Sequence, residues 1–346
     1  MKTILFLFGG CSTEYEVSLA SAHGVLSHLD RSRFTALTVG ITREGRWLRY
    51  GGPLSGLEAG DWAERPDCVP CALSLDRGDR RLLWLDGSGR SETFDAAFPI
   101  LHGKNGEDGT VQGLLELADI PIVGCGALSS ALCMDKDRSH KLAALAGVRV
   151  PRGRLFRRGA VLPQMARAAE EVGYPLFVKP VRAGSSFGVS RVEGPDQLPA
   201  AVWTAFGHDR EILLEEAVPG FEVGCAVLGN DELAVGAVDE IELADGFFNY
   251  TEKYTLNRSR ICCPARIAPA KAAEIQETAG RIYRALDCRG FARVDLFLTP
   301  WGEIVFNEVN TIPGFTPHSR YPGMMAAAGW DFGNLITRLI ELGVEA

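Results

Sequence analysis

The stretch VDLFLTPWGEIVFNEVN, 294–310, carries Asp295, Glu308 and Asn310 within two otherwise apolar runs. Read as two strands around the turn TPWG, strict alternation places Ile304, Phe306, Glu308 and Asn310 on one face and Val305, Asn307 and Val309 on the other. Two carboxylates and an amide are hard oxygen ligands, and they suit magnesium, which takes oxygen at about 2.0–2.1 Å and shares its shell with phosphate. Asp295 lies inside a strand, between Val294 and Leu296. A carboxylate there is costly without a positive neighbour, so either a bound cation or a strand-end ion pair with Arg293 belongs beside it.

Other stretches carry charges in equally unfavourable places. LFVKPVRAGSSFGVSRV sets Lys179 inside an apolar strand and follows it with GSSFG, whose Ser185 and Ser186 hydroxyls and amides can fold over phosphates as a flap. A strand-edge charge is the alternative for Lys179. Lys136, in MDKDRS, is a second phosphate ligand or a solvated helix residue. LLEEAVPGFEVG runs from a strand through Glu215, Glu216 and Val218 to Glu222, and such an edge between domains can bond a purine through its backbone while Glu222 accepts from ribose. LFLFGGCSTEYEVS passes from a strand through a glycine turn into a helix, where anions are favoured and Glu14 could hold an amine or cap the helix. LHGKNGEDGTVQG combines His102, Glu107, Asp108 and four glycines after a strand, a loop that approaches a ligand or a tight surface turn. Neither GxGxxG nor GxxxxGK[ST] is present, which removes a dinucleotide fold and a P-loop.

The elements that must position these residues follow from the pattern. A chain of 346 residues is too long for one core and suggests two or three domains. With 46% hydrophobic and 23% charged residues it is globular, and a net charge of -8 argues against nucleic acid as the main partner. No apolar run reaches the ~20 residues of a membrane helix, and MKTILFLFGG is a buried strand rather than a signal peptide, so a cytoplasmic protein without a membrane partner is expected. Nine cysteines among apolar residues fit reduced thiols; the Cys68 and Cys71 pair lacks companions for zinc. KTILFLF, a helix over 17–29, FTALTVGIT, FDAAFPIL and a helix over 110–118 form an α/β layer of mostly parallel strands, interrupted by the glycine- and proline-rich excursion GGPLSGLEAGDWAERPDCVP. A helical run over 127–146 leads to an α+β unit with helices over 163–172 and 196–206. The last part holds further strands, a helix over 270–286, the opening hairpin and a closing helix near 331–342.

Taken in order, FLFGGCSTEYEVS, LHGKNGEDGT, MDK, FVKPVRAGSSFG, LEEAVPGFE, EKY, FARVD, NEVNTIPGFT and HSRYP resemble the D-alanine-D-alanine ligase family of the ATP-grasp superfamily over nearly the whole chain. The resemblance implies a three-domain ATP-grasp fold, divided at 1–125, 126–218 and 219–346, and a homodimer. It implies ATP with Lys136 and Lys179 on its phosphates, Ser185 and Ser186 in the flap, Glu215 and Val218 at adenine and Glu222 on ribose. Asp295, Glu308 and Asn310 would hold two Mg2+ or Mn2+ ions. The first D-alanine would become an acyl phosphate and the amine of the second amino acid would displace phosphate, in the service of peptidoglycan synthesis. Glu14 would take the first ammonium beside His102, Arg293 and the Gly314 backbone the oxyanion, and Ser319 the second carboxylate. Lys253 would act on ATP, and Tyr254 would link to Ser185 and Glu14 when the loop 247–259 closes, although a loop tyrosine can also simply pack.

The resemblance departs from typical members at Arg320, where they carry an apolar residue. FFNYTEKYTL, GCSTEYEVS and HSRYP look like the vancomycin-resistance branch that makes D-alanyl-D-serine, while ligases making D-alanyl-D-lactate generally lack the tyrosine at Tyr254. An arginine can offer a hydroxyl several donors. A single added hydroxyl is often discriminated only ~100-fold by an apolar pocket, so D-alanine and D-serine both come into question as second substrate. A silent nucleotide sensor would need a broken site, and Lys136, Lys179, Arg293, Asp295, Glu308 and Asn310 are all intact. A nicotinamide oxidoreductase would need the fingerprint that is missing.

Overall fold

A computed structural model of the chain describes residues 1–243, 259–316 and 318–345. Its strands form three sheets of seven, four and five strands. The first is centred on β1 (Lys2–Gly9), in which every residue from Ile4 to Phe8 is buried. Such an unbroken apolar run marks a strand covered on both faces. From β1 the chain enters α1 (Tyr15–Ser27) and returns as β2 (Phe34–Ile41). It then makes β3 (Trp47–Tyr50), α2 (Ser55–Ala59), β4 (Cys68–Leu73), β5 (Arg81–Trp84), β6 (Ser91–Thr93), β7 (Ala96–Ile100) and α3 (Thr110–Leu117).

The strand order is β6-β5-β4-β3-β2-β1-β7. The parallel core expected from the sequence is confined to β2, β1 and β7, and the sheet continues beyond β2 as an antiparallel meander. These extra strands are short and part-polar, so their alternation is weak. The glycine- and proline-rich excursion belongs to this meander. It also supplies Trp62, fully buried edge-on against Phe8 with ring centroids 4.9 Å apart, its indole N–H donating to the Tyr15 hydroxyl at 2.8 Å.

The helical run expected over 127–146 is two helices, α4 (Ala127–Met134) and α5 (Lys136–Leu145), because Asp135 turns extended between them and caps α5 through Arg138 N–H. Then follow β8 (Gly153–Arg157), α6 (Leu162–Val172), β9 (Leu176–Pro180), β10 (Ser190–Val192), α7 (Leu198–His208) and β11 (Glu211–Glu216), with sheet order β10-β9-β11-β8. The third sheet, β14-β13-β12-β15-β16, comprises β12 (Phe221–Leu228), β13 (Ala234–Leu243), β14 (Ser259–Cys262), β15 (Phe291–Leu298) and β16 (Ile304–Asn310). Helix α8 (Pro269–Ala285) covers it, and α9 (Arg320–Ala327) and α10 (Phe332–Glu345) end the chain. Helix α9 has no counterpart in the sequence reading. Helix α10 does not stay with the third sheet alone: Leu335, Ile336, Leu339 and Ile340 share a core with Ile4, Phe6 and Phe8 of β1. Each such fully buried aliphatic side chain contributes about 1.5–3 kcal/mol.

The opening hairpin needs a correction. Asp295 pairs with Glu308, but Leu296 pairs with Phe306, so Asn307 is a bulge. An extra residue reverses the alternation beyond it. Ile304 and Phe306 therefore lie with Val294, Leu296, Leu298 and Val309 in the core, opposite the face that carries Glu308 and Asn310, and not on that face as strict alternation implied. The bulge exposes the Asn307 carbonyl, which accepts from His140 Nε2 at 2.8 Å.

Candidate active site

A cavity of about 450 Å³ opens where the first and third sheets meet the flap after β9. Its wall includes Glu14, His102, Ser185, Arg293, Gly314, Ser319 and Arg320, residues from widely separated segments. Glu14 occupies the N-cap position of α1 yet makes no capping bond; its carboxylate instead accepts from Ser185 Oγ. Ser185 and Ser186 both have positive φ, 50° and 59°. Two consecutive non-glycine residues in the left-handed region cost about 1–2 kcal/mol each, a strain that sequences retain where a loop has work to do.

The segment 311–316 is fixed by α1 and by the loop after β7. His102 Nδ1 bonds the Ile312 carbonyl at 2.8 Å, so this nitrogen carries the proton, and Nε2 accepts from Ser21 Oγ at 3.2 Å. Ser21 Oγ in turn accepts from Phe315 N–H at 3.1 Å. Burial lowers the His102 pKa, and this keeps the ring neutral and the relay in one tautomer. A side chain at Gly24 would stand 2.4 Å from the Phe315 carbonyl, so only glycine lets α1 approach so closely. Ser319 Oγ accepts from Thr316 N–H at 2.9 Å beside Gly314, closing the turn into α9.

Below the cavity lies a buried charge network. Arg293 grips Asp295 through Nε and Nη2, at 2.9 and 2.7 Å, and Asn310 donates its amide N–H to Asp295 at 2.9 Å. Arg320 forks onto Asp239 with two bonds of 2.8 Å, reaches Glu222 at 2.8 Å and lies 3.2 Å from Asp295. Burial works against the charge of Arg320, but Asp239 and Asp295 outweigh it and raise its pKa. Of the two alternatives for Asp295, the ion pair with Arg293 is present, and Arg320 is a second guanidinium neighbour. Glu222, expected at ribose, is held by Arg320, and Glu308 lies 3.7 Å from Lys136 Nζ. The residues still fit a divalent cation. Asp295 and Glu308 are direct cross-strand partners on one face of the sheet, and the Asn310 amide nitrogen is turned to Asp295, so hard oxygen donors are gathered at one place.

The cleft between the second and third sheets gathers the remaining charges. Lys179 and Glu215, both buried, form an ion pair across β9 and β11, so the anion that the buried lysine required is supplied by the protein. Lys136 donates to the Ala183 carbonyl at 2.9 Å and so touches the flap base. Glu215 Oε2 is buried and has no hydrogen-bond partner among the described residues, an acceptor position suited to a ligand's amino group. Val218 is half-buried in the connection between β11 and β12. Lys253 and Tyr254 lie outside the described residues.

The chain is similar to known proteins over nearly its whole length. Residues 3–125 match the model described as D-ala D-ala ligase N-terminus, and residues 142–341 match D-ala D-ala ligase C-terminus. The chain belongs to the D-alanine-D-alanine ligase family. It is 43% identical to a D-alanine--D-alanine ligase of Caldicellulosiruptor bescii, over 99% of this chain and 95% of that one. It is 47% identical to a putative D-alanine--D-lactate ligase of Streptomyces coelicolor, over 98% and 96%. A crystal structure of the VanG D-Ala:D-Ser ligase from Enterococcus faecalis superposes with a TM-score of 0.93 at 53% identity, over 99% of both chains.

As a member of the D-alanine-D-alanine ligase family the protein is an ATP-dependent ligase with the ATP-grasp fold. The fold brings Glu14, His102, Ser185, Arg293, Gly314, Ser319 and Arg320 to one cavity and Lys136, Lys179 and Glu215 to the neighbouring cleft. Sequence reasoning passed over Asp239, Ser21 and His140. Asp239 sits in the strand AVGAVDEIEL as conspicuously as Asp295 does in its own, and a fully buried carboxylate inside a strand was the signal available.

Proposed function

We propose that the protein joins D-alanine to a second D-amino acid and accepts D-serine as well as D-alanine in that role. The observation that carries this reading is Arg320, which lines the same cavity as Gly314 and Ser319. Asp239 and Asp295 hold it in place, and the N–H that Glu222 releases can be presented to a hydroxyl where an apolar wall would offer none. The 53% identity to a D-Ala:D-Ser ligase supports it.

In this reading Glu14 receives the first ammonium beside His102, and Ser319 the second carboxylate. Lys136 and Lys179 neutralise the phosphates under the flap of Ser185 and Ser186. Glu215 takes the adenine amino group beside Val218, and Glu222 turns from Arg320 to ribose. Asp295, Glu308 and Asn310 hold magnesium, which supplies charge neutralisation at the phosphoryl group. Arg293, kept in place by Asp295, and the Gly314 N–H face the oxyanion formed when the amine attacks the acyl phosphate; donors fixed before reaction need no reorganisation. Lys253 contributes to ATP, and Tyr254 closes over Ser185 and Glu14. The domains divide at 1–125, 126–218 and 219–346, and the enzyme works as a cytoplasmic homodimer. No helix among the described residues is long and apolar enough to cross a membrane.

The test is ADP release by the purified protein given ATP, magnesium and D-alanine. Release that stops when magnesium is chelated and in Asp295→Asn supports the assignment. Release that persists in Asp295→Asn would contradict the metal role of the hairpin.

A further inference from the structure

Helix α5 meets the hairpin with two side chains one turn apart. Lys136, its first residue, lies 3.7 Å from Glu308, and His140 Nε2 bonds the carbonyl of the preceding residue, Asn307, at 2.8 Å. Residues four apart share one helix face, so α5 addresses two consecutive residues of β16 at once. Strand β16 lies at the edge of its sheet, and that edge is held at two adjacent points. The Arg149 carbonyl accepts from Phe306 N–H at 2.9 Å, and His140 donates to Asn307. These two bonds bracket the bulge that puts Glu308 opposite Asp295.

The His140 ring is buried and packs edge-on against Phe306, with centroids 5.4 Å apart. A carbonyl oxygen only accepts, so Nε2 carries the proton. Burial lowers the His140 pKa against the pull of Glu215 and of the Asn307 bond, and Lys179 and Lys136 add to the lowering. The ring is therefore a neutral donor at pH 7, which adds no charge beside two lysines. A core histidine with a satisfied nitrogen is ordinary. This one spends its proton on the bulged residue of the hairpin, directly before Glu308.

We propose that His140 is a positioning residue for the metal site: by tying the Asn307 bulge to α5 it fixes Glu308 and Asn310 opposite Asp295 and in register with Lys136. It acts through the backbone of Asn307 and not on the cation itself. One rigid helix then sets both the hairpin and a phosphate-binding lysine, so that metal and phosphate ligands move as a unit. Groups that stand behind metal ligands orient them, and losing one typically costs about 10–100-fold in metal affinity. The inference rests on the reading of the hairpin as the magnesium site.

The test is Mn2+ binding to the full-length protein with an equimolar non-hydrolysable ATP analogue, counted from the EPR signal of free Mn2+ and compared with the analogue alone. His140→Phe keeps an aromatic ring against Phe306 and loses the donor. It should weaken Mn2+ binding by about 10-fold or more, and raise by a similar factor the Mg2+ concentration that half-saturates ADP release, with KM for D-alanine unchanged. His140→Gln, whose amide can reach the Asn307 carbonyl, should restore most of the affinity, and His140→Asn, which is too short, should not. A lower melting temperature in His140→Phe with the original Mn2+ affinity would show a packing role only and overturn the inference. Equal weakening in His140→Gln and His140→Phe would also overturn it, since the hydrogen bond would then not matter. Mn2+ held by the unaltered protein no more tightly than by the analogue alone would overturn it together with the metal reading of the hairpin.

Discussion

At Arg320 specificity and stability meet in one side chain. Removing it would strand the fully buried Asp239 and take one of two guanidinium neighbours from Asp295. Breaking a buried ionic network by deleting one partner costs about 3–5 kcal/mol. Arg320→Leu is therefore expected to lower the unfolding free energy by about that much, read from denaturant unfolding, and a loss under about 1 kcal/mol would contradict the network. Arg320→Lys keeps the charge and loses the fork, so it is the variant in which the D-serine share of product should fall without collapse of the fold. Glu107 makes a separate prediction. Burial pushes the Glu107 carboxyl, which accepts from the Gly103 and Ile312 N–H groups, up to about 8 in the folded chain, against the ordinary carboxyl range in the unfolded one. The folded state then binds more protons between those values, so this contribution to stability is full below about pH 4.5 and is lost as pH rises to about 8. Glu107→Gln should flatten that decline in melting temperature between pH 5 and 8, and an unchanged decline would contradict the assignment. The residue types were legible in the sequence because carboxylates and lysines inside apolar strands are expensive. Their partners were not. The pairs Arg320 with Asp239 and Lys179 with Glu215 form only after segments separated in the chain, a helix and a strand in the first case and two strands in the second, lie side by side.

The hairpin shows how a local pattern misleads by one residue. Alternation identified both strands, but it placed Phe306 beside Glu308, and the bulge at Asn307 puts them on opposite faces. A bulge leaves no mark in hydrophobic periodicity, since Ile-Val-Phe reads equally well either way. Deleting Asn307 would restore unbroken pairing at the cost of moving either Phe306 out of the core or Glu308 and Asn310 away from Asp295. ADP release in that variant should fall to background, and activity within 10-fold of the unaltered protein would contradict the register. The break between α4 and α5 was similarly hidden. Asp135 in MDKDRS is a good capping residue, but a polar residue on a helix surface has the same spelling. Helix α9 was missed because Arg320 and Pro322 obscure an apolar stripe that includes Tyr321, Met324 and Met325.

At the scale of the molecule, the cavity exists only because distant segments converge on it: the start of α1, the loop after β7, the flap after β9, strand β15 and the turn into α9. The order of motifs made the family legible, and the layers followed from it. The antiparallel meander after β2 and the return of α10 to the first sheet were not legible, because each depends on which surface remains uncovered after the rest has packed. Closing the chain end onto β1 packs the last helix into the core of the first sheet, beside the cavity that Ser319 and Arg320 share with Glu14 and His102. The central claim is that the wall of Ser319 and Arg320 admits D-serine. Its most direct test is mass spectrometry of the products formed by the purified protein with ATP, magnesium and equal D-alanine and D-serine, beside D-alanine alone. The account predicts D-alanyl-D-alanine from D-alanine alone and a substantial share of D-alanyl-D-serine from the mixture. D-alanyl-D-alanine as the sole product of both would contradict it.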